Sequence, residues 1–185
     1  MKQLLLVIGF LLLAGVVYAG PVVEMKTSMG TIRIELNQEK APQTVNNFLT
    51  YVDQKFYDGT VFHRVIKKFM IQGGGFNQFG TKKVTLDPIK NEANNGLKNR
   101  KGSISMARTG VVDSATSQFF INLVNNSSLD HSGNSPRAFG YAVFGHVISG
   151  LNIVEKIGKV KTITKGAQFR DYPEPQVIIE SVRRI

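Results

Sequence analysis

The chain has 185 residues, no cysteine, and 23 basic against 13 acidic residues, for a formal net charge of +10. That length suits a single domain able to bury on the order of 70% of its unfolded surface without cross-links, and the lack of cysteine excludes a thiol nucleophile, a disulfide framework and any cysteine-based zinc site. The basic residues are scattered, as in Lys67-Lys68, Lys82-Lys83, Arg100-Lys101 and Arg183-Arg184, which reads as a solvated surface and not as a nucleic-acid footprint.

The chain opens with Met1-Lys2, an apolar run over residues 4–18 and the small-residue ending Val17-Tyr18-Ala19. This is the layout of a secretory signal, with cleavage expected after Ala19. The run is shorter than the roughly 20 apolar residues of a membrane-spanning helix. The expectation is a signal peptide over 1–19 and one domain over 20–185, exported to the periplasm or secreted beyond it and free of the membrane after cleavage.

Residues 22–27 and 31–36 both alternate apolar with polar, and Ser28-Met29-Gly30 between them suits a tight hairpin turn. Pro42 opens a helix, with Val45, Phe48, Leu49 and Val52 forming one apolar stripe. Two strands follow, one through Val61-Phe62-His63-Arg64-Val65 and one through residues 68–74 that ends at a glycine run. Residues 77–101 show no regular element, and a loop of that length in a small domain is either functional or conceals an element that the pattern does not show. Strands resume at 103–107, 118–124 and 141–147; a short helix is expected over 151–157 and a closing strand over 176–182. Many short strands and two helices predict an antiparallel β-barrel or sandwich.

Side chains alternate along a strand, so Met70 and Gln72 share a face, as do Gln118, Phe120 and Asn122, and Arg64 is expected beside Phe62 and Ile66. Phe69 joins Met70 in one pocket only if the strand begins or bends there. A fixed guanidinium, an amide side chain and large apolar groups together suit a ligand with a greasy ring beside a polarisable amide, such as proline in a peptide. His63, His131 and His146 lie on three separate elements with no metal-ligand spacing. No Gly-x-Ser-x-Gly elbow is present, and Gly73-Gly74-Gly75 lacks the lysine and spacing of a phosphate loop, so it reads as a backbone bend.

Phe62-His63-Arg64-Val65, Phe69-Met70-Ile71-Gln72-Gly73-Gly74, Ser105-Met106-Ala107-Arg108 and Ser117-Gln118-Phe119-Phe120-Ile121 stand in an order that resembles the cyclophilin-type peptidyl-prolyl cis-trans isomerases. The resemblance spans residues 22–182. Lys90-Asn91-Glu92-Ala93, Ala107-Arg108-Thr109 and the exported start are similar to the bacterial periplasmic branch. It implies a closed eight-stranded antiparallel barrel capped by two helices, an active groove on its outer face, no cofactor, and proline-containing peptides and unfolded exported proteins as partners; a monomer is expected because no extra domain is evident in the sequence. Carried over, Arg64 would be catalytic; Phe69, Met70, Phe120 and Leu129 would wall the proline pocket; Gln72 would hydrogen-bond the substrate backbone. Ala107, Arg108, Thr109 and Gln118 would line the adjoining groove, with His63 and Tyr141 at further rim positions. Ser128 stands where the family often has a tryptophan that favours cyclosporin, so weak cyclosporin binding is expected. The competing readings are a proline-directed binding module without essential turnover and an exported protein that meets an anionic partner through its basic surface.

Overall fold

The computed structural model describes residues 20–185, and the expected signal peptide over 1–19 lies outside the described residues. The elements in chain order are β1 (Val22–Thr27), β2 (Gly30–Leu36), α1 (Pro42–Asp53), β3 (Thr60–Ile66), β4 (Met70–Asn77), β5 (Ser103–Met106), β6 (Phe119–Asn122), β7 (Val143–Ser149), α2 (Leu151–Ile157), β8 (Thr162–Lys165), β9 (Phe169–Pro173) and β10 (Val177–Arg184). Eight strands close into a barrel in the order β1-β10-β3-β4-β6-β5-β7-β2, and β8 and β9 pair separately. Closure leaves the barrel no free edge, and it decides between the barrel and the sandwich.

Alternation fills the interior. Val23 and Met25 of β1 and Ile32, Ile34 and Leu36 of β2 are fully buried, as are Ile71, Ile104, Phe119 and Ile121 of the strands opposite. The apolar stripe of α1 covers one end, where the Phe48 ring lies 5.1, 5.8 and 5.2 Å from those of Tyr57, Phe119 and Phe144. At the other end α2 sets Ile153 over Gly30 in the β1–β2 turn, and Gly158 lies against Leu123 beyond β6. Ala41 gives α1 no side-chain cap. The Glu92 carboxylate does so instead, accepting hydrogen bonds from the backbone of Gln43 and Thr44 at 3.1 and 2.8 Å and from the Thr44 hydroxyl at 2.7 Å.

Three sequence expectations change. First, β4 does not end at its glycines but runs through them to Asn77. Gly74 takes φ +81°, and a Cβ there would meet Phe119 and Tyr57 at 2.9 Å, so the glycines bend the strand inside the ladder. Second, Arg64 does not share a face with Phe62. The β3–β4 register slips between Phe62 and Arg64, a bulge in which His63 is the extra residue. Phe62 and Val65 therefore both point into the core while Arg64 is exposed. Third, the β8–β9 hairpin was not anticipated. Its Phe169 and Tyr172 pack with Val61 of β3, joined by Phe76, Ile163 and Ile178, as a small second apolar cluster outside the barrel.

The stretch 77–101 is a loop, as expected, but a pinned one. Tyr51 accepts a hydrogen bond from the backbone of Leu86, Asp113 from Asn91, and the Val143 carbonyl from the side chain of Asn95. Isolated bridges join Phe76 to Lys82 and Ile89 to Ala115.

Candidate active site

A cavity of about 170 Å³ opens on the outer face of β3, β4 and β6. That is smaller than the roughly 300–1,000 Å³ of sites for drug-sized ligands and suits one small ring. Met70 and Phe120, on neighbouring strands and 3% and 4% exposed, form its apolar wall. Phe69 joins them because β4 begins only at Met70: Lys68 takes φ +59° in the tight turn before it, and the Phe69 amide donates to the Ile66 carbonyl. Leu129 and Tyr141 come from the segment between β6 and β7, and the Tyr141 ring meets Phe120 edge-on at 5.6 Å. Arg64, Gln72, Ala107 and Arg108 complete the lining, which carries no carboxylate and no imidazole.

A second hollow of about 250 Å³ adjoins the first through Gln72, Ala107 and Arg108, and is further lined by Thr109, Gln118, Lys82 and Ser114 among others. Gln72 donates from Nε2 to Oε1 of Gln118 at 3.0 Å, which leaves Oε1 of Gln72 as an acceptor at the junction of the two hollows. Gly75 makes room for this pair, since a Cβ there would lie 2.6 Å from Cγ of Gln118. A larger hollow of about 700 Å³ lies elsewhere, against Gly20, Pro21 and the His146–Glu35 pair, and none of the expected site residues borders it.

The two guanidiniums at the pocket do different work. Each nitrogen of Arg108 is tied to the backbone: Nε donates to the Gly140 carbonyl at 2.9 Å, Nη1 to that of Thr109 at 2.9 Å and Nη2 to that of Pro136 at 2.7 Å, and the group lies 4.9 Å from the centre of the Tyr141 ring. It pins the loop that delivers Tyr141. Among the described residues Arg64 has no hydrogen-bond partner, and its one ion pair is to Asp171 of β9 at 3.6 Å. Arg64 is therefore the guanidinium of the two with more donors available to a ligand.

His63 is the expected residue that lines neither hollow. It is 7% exposed, under the β8–β9 hairpin, with its ring 4.8 Å from that of Phe76 and 6.4 Å from that of Phe169. Burial pushes its pKa down to about 4; the Val61 backbone acts the other way and the Arg64 charge adds to the fall.

Sequence reading missed the polar network beneath the pocket. Asn126 donates to the Phe69 carbonyl at 2.9 Å and to Oδ1 of Asn122 at 2.7 Å, while Asp130 accepts from the backbone and side chain of Asn99 at 2.7 and 3.1 Å. These bonds fix the short turn Ser127–Leu129. The available signal was Asn122, a polar residue in the otherwise apolar strand Phe119-Phe120-Ile121, and it is fully buried.

The family described as "Cyclophilin type peptidyl-prolyl cis-trans isomerase/CLD" matches residues 22–184. A "Peptidyl-prolyl cis-trans isomerase" of Acinetobacter baylyi is 50% identical over 183 residues, covering 99% of this chain and 95% of the relative. "Peptidyl-prolyl cis-trans isomerase B" of Escherichia coli is 52% identical over 160 residues, covering 86% and 97%. A solved cyclophilin-type isomerase of Cryptosporidium parvum superposes with a TM-score of 0.73 at 26% identity, over 89% of this chain and 97% of that one; the same protein was also solved in the presence of the dipeptide Ala-Pro.

Proposed function

The chain belongs to the cyclophilin-type peptidyl-prolyl cis-trans isomerases and has that activity, and from this premise we propose that it serves the folding of exported polypeptides with Arg64 as its catalytic residue. The observation that carries the role of Arg64 is a guanidinium with no hydrogen bond to a described residue beside a small apolar pocket, next to an Arg108 that is tied to three backbone carbonyls.

Rotation about a peptide bond meets a barrier of ~18–20 kcal/mol, because resonance gives the C–N bond double-bond character. At X-Pro bonds the two isomers differ by only ~0.5–1 kcal/mol, yet exchange takes tens to hundreds of seconds. The barrier is the whole problem, and no covalent bond need break. In this reading Phe69, Met70, Phe120 and Leu129 hold the pyrrolidine ring while the preceding carbonyl turns. Oε1 of Gln72 accepts a substrate backbone N–H. Arg64 donates to the imide nitrogen, which regains its lone pair as resonance is lost. That hydrogen bond strengthens toward the transition state, which is the differential binding that catalysis requires. A guanidinium suits the task because it stays charged and its fork is rigid. Each ~1.4 kcal/mol so gained is worth about tenfold in rate.

The export reading rests on the start of the chain, with a basic residue, an apolar run and a small-residue ending. The mature protein would begin at Gly20 and act in the periplasm as a monomer on unfolded chains. Refolding of an exported protein whose slow phase is a prolyl isomerisation tests the proposal. The 20–185 protein is expected to shorten that phase and the Arg64→Ala variant to leave it nearly unchanged; equal acceleration by both would remove Arg64 from the mechanism. Ser128 is exposed on the turn that carries Leu129, so the pocket rim offers no indole there. Cyclosporin is expected to inhibit weakly, and a titration reaching tight inhibition would contradict this.

A further inference from the structure

Among the described residues, the single ion pair of Arg64 reaches to an element outside the barrel. Nε lies 3.6 Å from Oδ2 of Asp171, and the two side chains are 44% and 43% exposed. A pair this open contributes little to stability, so stability does not account for the way the backbone is shaped to make it. Asp171 stands at φ +56°, in the left-handed region that aspartate enters more readily than most residues. The β8–β9 register pairs Ile163 with Tyr172 and Lys165 with Phe169, so that Arg170 and Asp171 together oppose Thr164. That is a bulge, a device that re-aims a side chain. Phe169 and Tyr172 on either side of it are clamped onto Val61 of β3, the strand that carries Arg64.

We propose that Asp171 is a positioning residue for Arg64: it holds Nε and turns the two Nη groups toward the proline pocket. The guanidinium has five N–H donors, and restraint at Nε leaves the four on Nη1 and Nη2 for substrate. A hairpin docked on the barrel thereby reduces the rotamer freedom of a long exposed side chain before substrate arrives. The proposal deepens, and rests on, the reading of Arg64 as the catalytic donor.

The test uses Asp171→Asn, which keeps the side-chain shape and tolerates the same backbone conformation while removing the charge. Asp171→Gly, also at ease at positive φ, repeats it without a side chain. Both are assayed for cis-to-trans turnover of an X-Pro peptide, alone and combined with Arg64→Ala. The expected result is a kcat lowered by about two- to fivefold, with KM and the thermal midpoint unchanged and no further loss in the Arg64→Ala background. Unchanged kcat in both Asp171 variants, while Arg64→Ala is crippled, would overturn the proposal and leave the role of Arg64 standing. An equal loss with and without Arg64 would also overturn it, marking a structural role for the hairpin. Full turnover by Arg64→Ala alone would remove the underlying reading, and with it this one.

Discussion

His63 shows how one residue can look like part of a site and act as part of the fold. It is adjacent to Arg64 in sequence, but the bulge turns it under the β8–β9 hairpin, where its Nδ1 is buried without a hydrogen-bond partner among the described residues. Its pKa falls from 6.5 in the unfolded reference to about 4. Between those values the unfolded chain binds a proton that the folded chain refuses, so stability falls as pH drops from 6.5 toward 4 and is unaffected by this group above 6.5. At about 1.4 kcal/mol per unit, the full effect is about 3 kcal/mol at the bottom of the window. Urea midpoints measured from pH 7 to pH 4 should therefore fall less steeply in His63→Phe than in the parent. Parallel profiles would mean that the imidazole remains solvated or finds a partner.

Among the elements, those whose apolar pattern is complete within their own segment were legible. Helix α1 begins at Pro42 and buries Val45, Phe48, Leu49 and Val52 as its spacing predicts, and the β1–β2 hairpin turns at the expected residues. The β8–β9 hairpin escaped because its segments are mostly polar, β9 carries a proline, and its apolar contacts are supplied by β3 and β4. Local periodicity cannot report partners that distant. The cap of α1 was hidden for the same reason, since Glu92 lies 48 residues from Thr44. An N-cap of this kind contributes about 1–2 kcal/mol, and Glu92→Ala should lower the unfolding free energy by that amount. No change in the denaturation midpoint would show that water replaces the carboxylate without loss. The loop 77–101 follows the same rule: it has no periodicity to read because it is anchored at single points, by side chains bonded to backbone and by isolated bridges.

At the scale of the whole molecule, eight closed strands pack the barrel interior solid with side chains, so the small pocket at Arg64 forms on the outside, where β3, β4 and β6 meet the β6–β7 connection. The sequence motifs named the residues that gather there, from Arg64 and Phe69 to Tyr141, because each motif sits on one of those strands or in the connections beside them. They included Glu92 without showing that it caps α1, and they did not reveal Asp171 or Asn126; these roles exist only through contacts across the fold. In the proposed mechanism Arg64 lowers the rotational barrier while the apolar pocket binds. This is tested most directly by the cis-to-trans rate of a short X-Pro peptide with the 20–185 protein and its Arg64→Ala variant, each checked for an intact fold. Fast turnover by the first and a loss of most of kcat by the second, with KM little changed, is the predicted result. Near-normal turnover by a folded Arg64→Ala protein would contradict it.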